Sequence, residues 1–198
     1  MLRNLLRYWD NTSFYLHKKV YYAGYVIAAL FVLSFFEPVL ATLALFCLLA
    51  IVILVIVDSI LLYQKQGLSA ERLLQDRCSN GDVNNVVLLF HNNYPFKITT
   101  TVIDELPFQF QERKWKRKLA IAGNDSAEIV YTLTPRERGE YQFGQINVFA
   151  EGPLRVVTRR YRLGSEQTVK VYPSYVQMRR YHLLAATNRL QETGLKRM

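Results

Sequence analysis

The chain has 198 residues, of which 51% are hydrophobic, and 25 Lys and Arg against 16 Asp and Glu give it a net charge of +9. Two cysteines exclude a disulfide framework, because Cys47 lies inside an apolar run and Cys78 in a polar one. Once the apolar segments are set aside, about 130 residues remain, room for one soluble domain and not two.

Residues 1–19 mix Leu2, Leu5, Leu6, Tyr8, Trp9, Phe14 and Tyr15 with basic side chains. They read as a short amphipathic lead-in lying along a membrane interface. Residues 20–36 carry no formal charge, about 26 Å of helix at ~1.5 Å per residue against a hydrocarbon core of about 30 Å. Tyr21, Tyr22 and Tyr25 at the start of this run suit an interfacial aromatic belt. The second run, 39–62, is more apolar, with fourteen Val, Ile, Leu or Phe between 39 and 57. At roughly −0.3 to −0.6 kcal/mol each, these favour the bilayer by several kcal/mol. Asp58 opposes insertion by at most about 3 kcal/mol, and by less near a helix end. Glu37-Pro38 breaks what would otherwise be one overlong helix.

The sequence therefore predicts a transmembrane helical hairpin over 20–63. Arg3, Arg7, Lys18 and Lys19 precede it, Lys65, Arg72 and Arg77 follow it, and the turn has no Lys or Arg. By the positive-inside rule both ends are cytoplasmic. A cleaved signal peptide is the rival, but a second long apolar run begins where its cleavage motif would lie. Asp58 reads either as an intramembrane ion or proton site or, better, as an interfacial structural carboxylate.

From 65 onward 21 Lys and Arg face 13 Asp and Glu, a charge of +8. A basic domain on a tether as short as 64–67 sits beside anionic headgroups, with no need of nucleic acid. Beyond Leu68 short alternating runs are separated by turn signals, the pattern of an antiparallel, immunoglobulin-like β-sandwich over 68–173. Candidate strands are 68–75, 83–91, 97–106, 113–121, 128–134, 139–149, 154–163 and 168–172. Ser79-Asn80-Gly81-Asp82, Asn92-Asn93-Tyr94-Pro95, Gly123-Asn124-Asp125, Gly152-Pro153 and Gly164-Ser165 are turn chemistry. In the fifth candidate Ile129, Tyr131 and Leu133 share one face and Glu128, Val130 and Thr132 the other. Residues 174–198 lose the alternation and read as a short helical tail.

The densest charge run, 113–118, contains Lys114, Trp115, Lys116 and Lys118. It suits best an edge strand whose lysines block pairing, with Trp115, Arg117, Leu119 and Ile121 on the other face, next a surface that contacts anionic lipid headgroups, and least a nucleic-acid backbone with base stacking. His17, His91 and His182 stand without ligand-spaced partners, so no metal is expected. Asp104 and Glu105 are adjacent, and on a strand they point to opposite faces and cannot share a substrate. The glycosylation-type triplets at Asn11 and Asn124 read as a polar tail and a turn. No phosphate-cradling loop or nucleophile elbow is present, so neither an enzyme nor a cofactor is expected.

The most distinctive run is 135–144, where Pro135, Arg138, Gly139, Tyr141, Phe143 and Gly144 form a Pro-x-x-Arg-Gly-x-Tyr-x-Phe-Gly pattern. Pro153-Leu154 and Val171-Tyr172-Pro173 follow, and Ser79-Asn80-Gly81-Asp82, Asp104-Glu105-Leu106-Pro107 and Arg159-Arg160-Tyr161 fit as well. Over nearly its whole length the chain resembles the bacterial membrane proteins known as domain of unknown function 58. The resemblance implies a two-span inner-membrane anchor, a cytoplasmic β-sandwich and a following von Willebrand factor A-like domain. It also implies a non-enzymatic part beside MoxR-type AAA+ ATPases and von Willebrand factor A-domain membrane proteins, in complex assembly or envelope stress tolerance. The chain departs from the pattern at Arg155, where the family has glycine. Gly194-Leu195-Lys196-Arg197 would lead into the A-like domain, which the 198 residues do not contain.

Overall fold

The computed structural model describes residues 12–112 and 114–173. Strand β1 (Thr12–Leu16) is followed by helices α1 (Lys18–Leu33) and α2 (Val39–Tyr63). Then come β2 (Leu68–Leu73), β3 (Arg77–Ser79), β4 (Asn84–Asn92), β5 (Ile98–Asp104), a 3-10 turn (Phe108–Phe110) and β6 (Arg117–Ile121). The described chain finishes with β7 (Ser126–Leu133), β8 (Gly139–Phe143), β9 (Ile146–Glu151), β10 (Val157–Leu163) and β11 (Gln167–Tyr172).

The strands form a β-sandwich. One sheet has the order β1-β10-β9-β5-β6, a second β2-β4-β7, and a third β3-β11-β8. Pairing is antiparallel throughout the described strands except between β11 and β3. Alternation decides which side chains enter the core. On β4, Val86, Leu88 and Phe90 are buried while Asn85, Leu89 and His91 are exposed. Those three join Ile98, Val102, Val148, Val157 and Tyr161 in one continuous cluster, each large side chain contributing about 1.5–3 kcal/mol. On β7 Tyr131 and Leu133 are buried and Glu128, Val130 and Thr132 exposed, the face division read from the sequence.

Four segments differ from their expected form. The 1–19 lead-in contains β1, which pairs residue by residue with β10 from Thr12↔Tyr161 to Leu16↔Val157. An unpaired strand edge on β10 outweighs the weak amphipathic signal of this stretch. The candidate at 139–149 is two strands, because the chain changes sheet at Gly144, where a Cβ would collide with the Glu105 side chain. The candidate at 113–121 is a strand only from Arg117, as Trp115 turns into the core. The first apolar run is helical only to Leu33; Ser34 turns back on Phe31 O at 2.7 Å, and α2 restarts after Glu37-Pro38. The tail at 174–198 lies outside the described residues.

Between the sheets sits a buried ion pair, Arg72 with Asp104. Arg72 also donates to Gly144 O at 2.9 Å and lies 5.1 Å from the Phe143 ring centroid, while the Tyr131 hydroxyl donates to Asp104. Burial, followed by the neighbouring Asp104 charge, holds the Tyr131 phenol well above its ordinary value of 10.0. Burial and then Tyr94 do the same for Tyr161. A group whose folded-state pKa is raised stabilises the fold below its ordinary pKa and loses that contribution as pH rises above it. The melting temperature is therefore expected to fall steeply above about pH 10. A Tm that stays level through that window in a thermal melt would contradict the burial of these phenols.

Candidate functional site at the root of the helical hairpin

Helix α2 does not stop at the surface of the sandwich. Its last turns enter it, with Asp58 and Leu62 fully buried. Asp58 is the point of entry. Its Oδ2 accepts the backbone N–H groups of Val156 at 3.0 Å and Val157 at 2.9 Å, where β10 begins. Two amides that would otherwise be unpaired under the helix are satisfied by one carboxylate, and a charge that would be costly alone gains two donors. Gly152 makes room for it, since a Cβ there would stand 2.5 Å from Asp58 Oδ1.

Val156, just before β10, also holds the other helix. The Val156 carbonyl accepts from the N–H of His17 at 2.9 Å, and the His17 ring accepts from Lys19 N at 3.2 Å, capping the start of α1. Val156 is thus bonded through its N–H to α2 and through its C=O to the residue that opens α1.

Deeper in, Arg159 caps the end of α2. The last carbonyls of a helix have no partner within it, and the helix end carries partial negative charge. The Arg159 guanidinium donates to Leu62 O and, at 2.9 Å, to Lys65 O. It lies between two aromatic faces, 4.6 Å from the Tyr63 centroid and 4.5 Å from that of Tyr161. Such stacked, desolvated cations gain about 2 kcal/mol from the rings. Arg159 is buried because β10 alternates inward at Val157, Arg159, Tyr161 and Leu163.

Tyr94 completes the clamp, its hydroxyl donating to Leu62 O and pairing with the Tyr161 hydroxyl. The buried Asn92 side chain sets the loop that delivers it, donating to Ala122 O at 2.7 Å and Phe96 O at 3.0 Å and accepting from Tyr94 N at 3.0 Å. Gly67 admits the Tyr94 ring, because a Cβ there would overlap it. Replacing Gly67 with alanine is expected to displace that ring and lower Tm by several degrees, read in a thermal melt.

The residues singled out in the sequence do not assemble into one site. Pro135 and Gly144 lie toward the end of the sandwich away from the root: Pro135 O accepts from Gly81 N, and Gly144 bonds Glu105. Gly139 has φ +136, Tyr141 and Phe143 are buried, and the Tyr141 hydroxyl donates to Glu137 O at 2.9 Å. This part of the pattern builds a corner. Arg138, Tyr172 and Pro173 are exposed, Tyr172 O accepting from Asn80 N. Pro153 belongs to the root, in the turn beside Asp58, and so do Asp58 itself and Arg159 and Tyr161 of the Arg159-Arg160-Tyr161 run.

Strand β6 is a sheet edge, as one reading of the basic run has it. Ile121 pairs with Ile98, near the root, and Arg117 with Val102, so Lys114, Lys116 and Lys118 lie toward the other end. Trp115 is 6% exposed and packs 4.7 Å from Tyr131, so it is core and not a lipid contact. Arg159, Tyr94 and Gly67 were missed as a set. Arg159 stood out in the sequence only as part of a family run; the alternation of β10 is consistent with its facing inward, but nothing local says that a helix end awaits it.

Among the described residues no three His, Cys, Asp or Glu side chains come together in a group that could hold a metal ion. The polar groups at the root bind helix ends and backbone, and the arrangement fixes position.

No protein-family model matches the chain, and no curated protein matches it in sequence. Among solved structures it is similar to a CARDB domain of a Pyrococcus furiosus protein, at 13% identity and TM-score 0.38, covering 53% of this chain and 87% of that one. It is similar to the PKD domain of an M14-like peptidase from a Thermoplasmatales archaeon, at 12% identity and TM-score 0.31, covering 54% and 93%. A PapD-like domain of human CEP192 gives 12% identity and TM-score 0.35, covering 54% and 87%.

Proposed function

We propose that this protein is a non-enzymatic scaffold module of the bacterial inner membrane, with both helices crossing the bilayer and the sandwich and both termini on the cytoplasmic side. The observation that carries this reading is the root itself, where Val156 and Arg159 hold both arms of an apolar hairpin against one folded domain. Helix α2 is long and apolar enough to cross a membrane, and its side chains from Val39 to Val57 are mostly exposed although they are apolar. Those nineteen residues span about 28 Å at ~1.5 Å per residue, close to the hydrocarbon thickness, and Asp58 follows at once.

Helix α1 has 16 residues, about 24 Å. Its crossing is supported by connectivity: β1 before it and β2 after α2 both belong to the sandwich, so a chain that leaves through one helix must come back through the other. The basic flanks favour the cytoplasmic side for that domain. Rigid anchorage suits a part that presents a surface at fixed height above the bilayer. Arg138, Tyr172 and Pro173, exposed toward the far end, are the partner-facing candidates. Following the family resemblance, that partner is a MoxR-type AAA+ ATPase or a von Willebrand factor A-domain membrane protein.

Alkaline phosphatase inserted at Glu37-Pro38 is expected to be active, and a fluorescent protein fused after Met198 to glow. The reverse pattern would overturn the sidedness. The full chain in detergent is expected to retain a MoxR-type ATPase on an affinity column. Recovery no better than with an unrelated two-span protein would overturn the partnership.

A further inference from the structure

The turn that receives Asp58 also forms one wall of a cleft of about 250 Å³ lined by Lys97, Thr99, Gly152, Pro153 and Arg155. We propose that this cleft binds the phosphate of an anionic phospholipid headgroup, an assignment that rests on the membrane anchoring argued above.

Three observations carry it. First, the lining supplies two cations and a hydroxyl, with no carboxylate among the described lining residues; Glu151, opposite Thr99 in the β5–β9 ladder, is the neighbouring carboxylate on that face. Lys97 and Arg155 are exposed, and neither takes part in a salt bridge among the described pairs. Arg155 Nη2 reaches Thr99 Oγ1 at 3.4 Å, which aims the guanidinium across the cleft mouth.

Second, the level is right. After Asp58, Leu62 and Tyr63 pack into the sandwich, while most side chains from Val39 to Val57 are exposed, so the 152–156 turn stands where the helix leaves the protein. Leu154 is exposed in that turn, an apolar side chain beside two cations. Lys18 and Lys19 open α1 from His17, which is bonded to Val156. A phosphate at the headgroup plane therefore meets the cleft without movement of the fold.

Third, Arg155 adopts φ +52, a left-handed conformation that glycine takes freely and a long side chain does not. The turn is closed by Arg155 N on Gly152 O at 3.2 Å and would be easier to form with glycine. A guanidinium is kept there at a conformational cost, and a planar fork of donors is the side chain that binds phosphate through paired hydrogen bonds.

The test uses the full chain in micelles containing phosphatidylglycerol and phosphatidylcholine, with retained lipid counted by native mass spectrometry. Wild type is expected to keep phosphatidylglycerol preferentially. Arg155→Gly is expected to lose about fivefold in that preference, the equivalent of ~1 kcal/mol per basic residue at an anionic surface. Its melting temperature should be equal or higher, because glycine suits the backbone. Lys97→Gln should act in the same direction, and charge reversal at Lys114, Lys116 and Lys118 should leave retention unchanged. Unaltered retention in Arg155→Gly and Lys97→Gln, or loss only in the triple reversal, would overturn the site. Inorganic phosphate that occupied the cleft as well as the lipid, with no preference between headgroups, would overturn the lipid assignment. Extraction of wild type from membranes by alkaline carbonate would instead remove the anchoring on which the proposal stands.

Discussion

Asp104→Ala is expected to destabilise the sandwich by about 3–5 kcal/mol, because it leaves a buried guanidinium without its carboxylate. Arg72 and Asp104 have 3% and 0% side-chain exposure, so neither can turn to water. The Tyr131 hydroxyl loses its acceptor in the same substitution. Against a total of about 5–15 kcal/mol for a domain of this kind, the loss is large enough to unfold a substantial fraction at physiological temperature. Trp115 reports it, since its ring packs on Tyr131 and its fluorescence should shift as urea unfolds the domain. The double change Arg72→Met with Asp104→Leu is expected to recover most of the loss, as matched apolar replacements of buried ion pairs do. A single-variant cost below about 1 kcal/mol would show that the pair is solvated and that the core has been misread.

Arg159→Met is expected to cost about 3 kcal/mol and to act at a defined place. Methionine keeps much of the length of the stem and removes the donors to Leu62 O and Lys65 O. Tyr94 still donates to Leu62 O, so that carbonyl keeps one partner while Lys65 O loses its charged one. The helix end should fray before the sandwich melts. Hydrogen exchange is expected to rise over 62–67 while β4 and β9 stay protected, and Arg159→Lys should recover part of the effect. Uniform loss of protection across all strands would mean that Arg159 supports the core generally and does not cap the helix.

These two arginines show where local reading stops. The face of Arg159 could be read from the alternation of β10, and the face of Arg72 from that of β2, because a strand has only two sides. Their partners could not. Asp104 and the carbonyl of Leu62 are far off in sequence, and nothing near Arg159 announces a helix end. Asp58 was legible as a structural carboxylate from its place after an apolar run; that it accepts the amides of Val156 and Val157 was not. Trp115 left two readings open for the same reason, since a tryptophan among lysines suits a lipid contact as well as the inner face of an edge strand until Tyr131 is seen beneath it. The 135–144 pattern was legible as a motif, while its use as a corner at the far end required the sheet switch at Gly144.

What the sequence determined by itself is what nearest neighbours decide: two apolar helices broken at Glu37-Pro38, basic flanks, and strands whose period of two sorts inward from outward residues. Hydropathy and periodicity are local sums, and a window of residues contains them. What only the tertiary structure decided is pairing between distant segments. The strand at Thr12–Leu16 exists because β10 has an open edge, and the hairpin is held because Arg159 meets the Leu62 carbonyl that the helix cannot satisfy within itself, while Val156 bonds the Asp58 carboxylate and the N–H of His17.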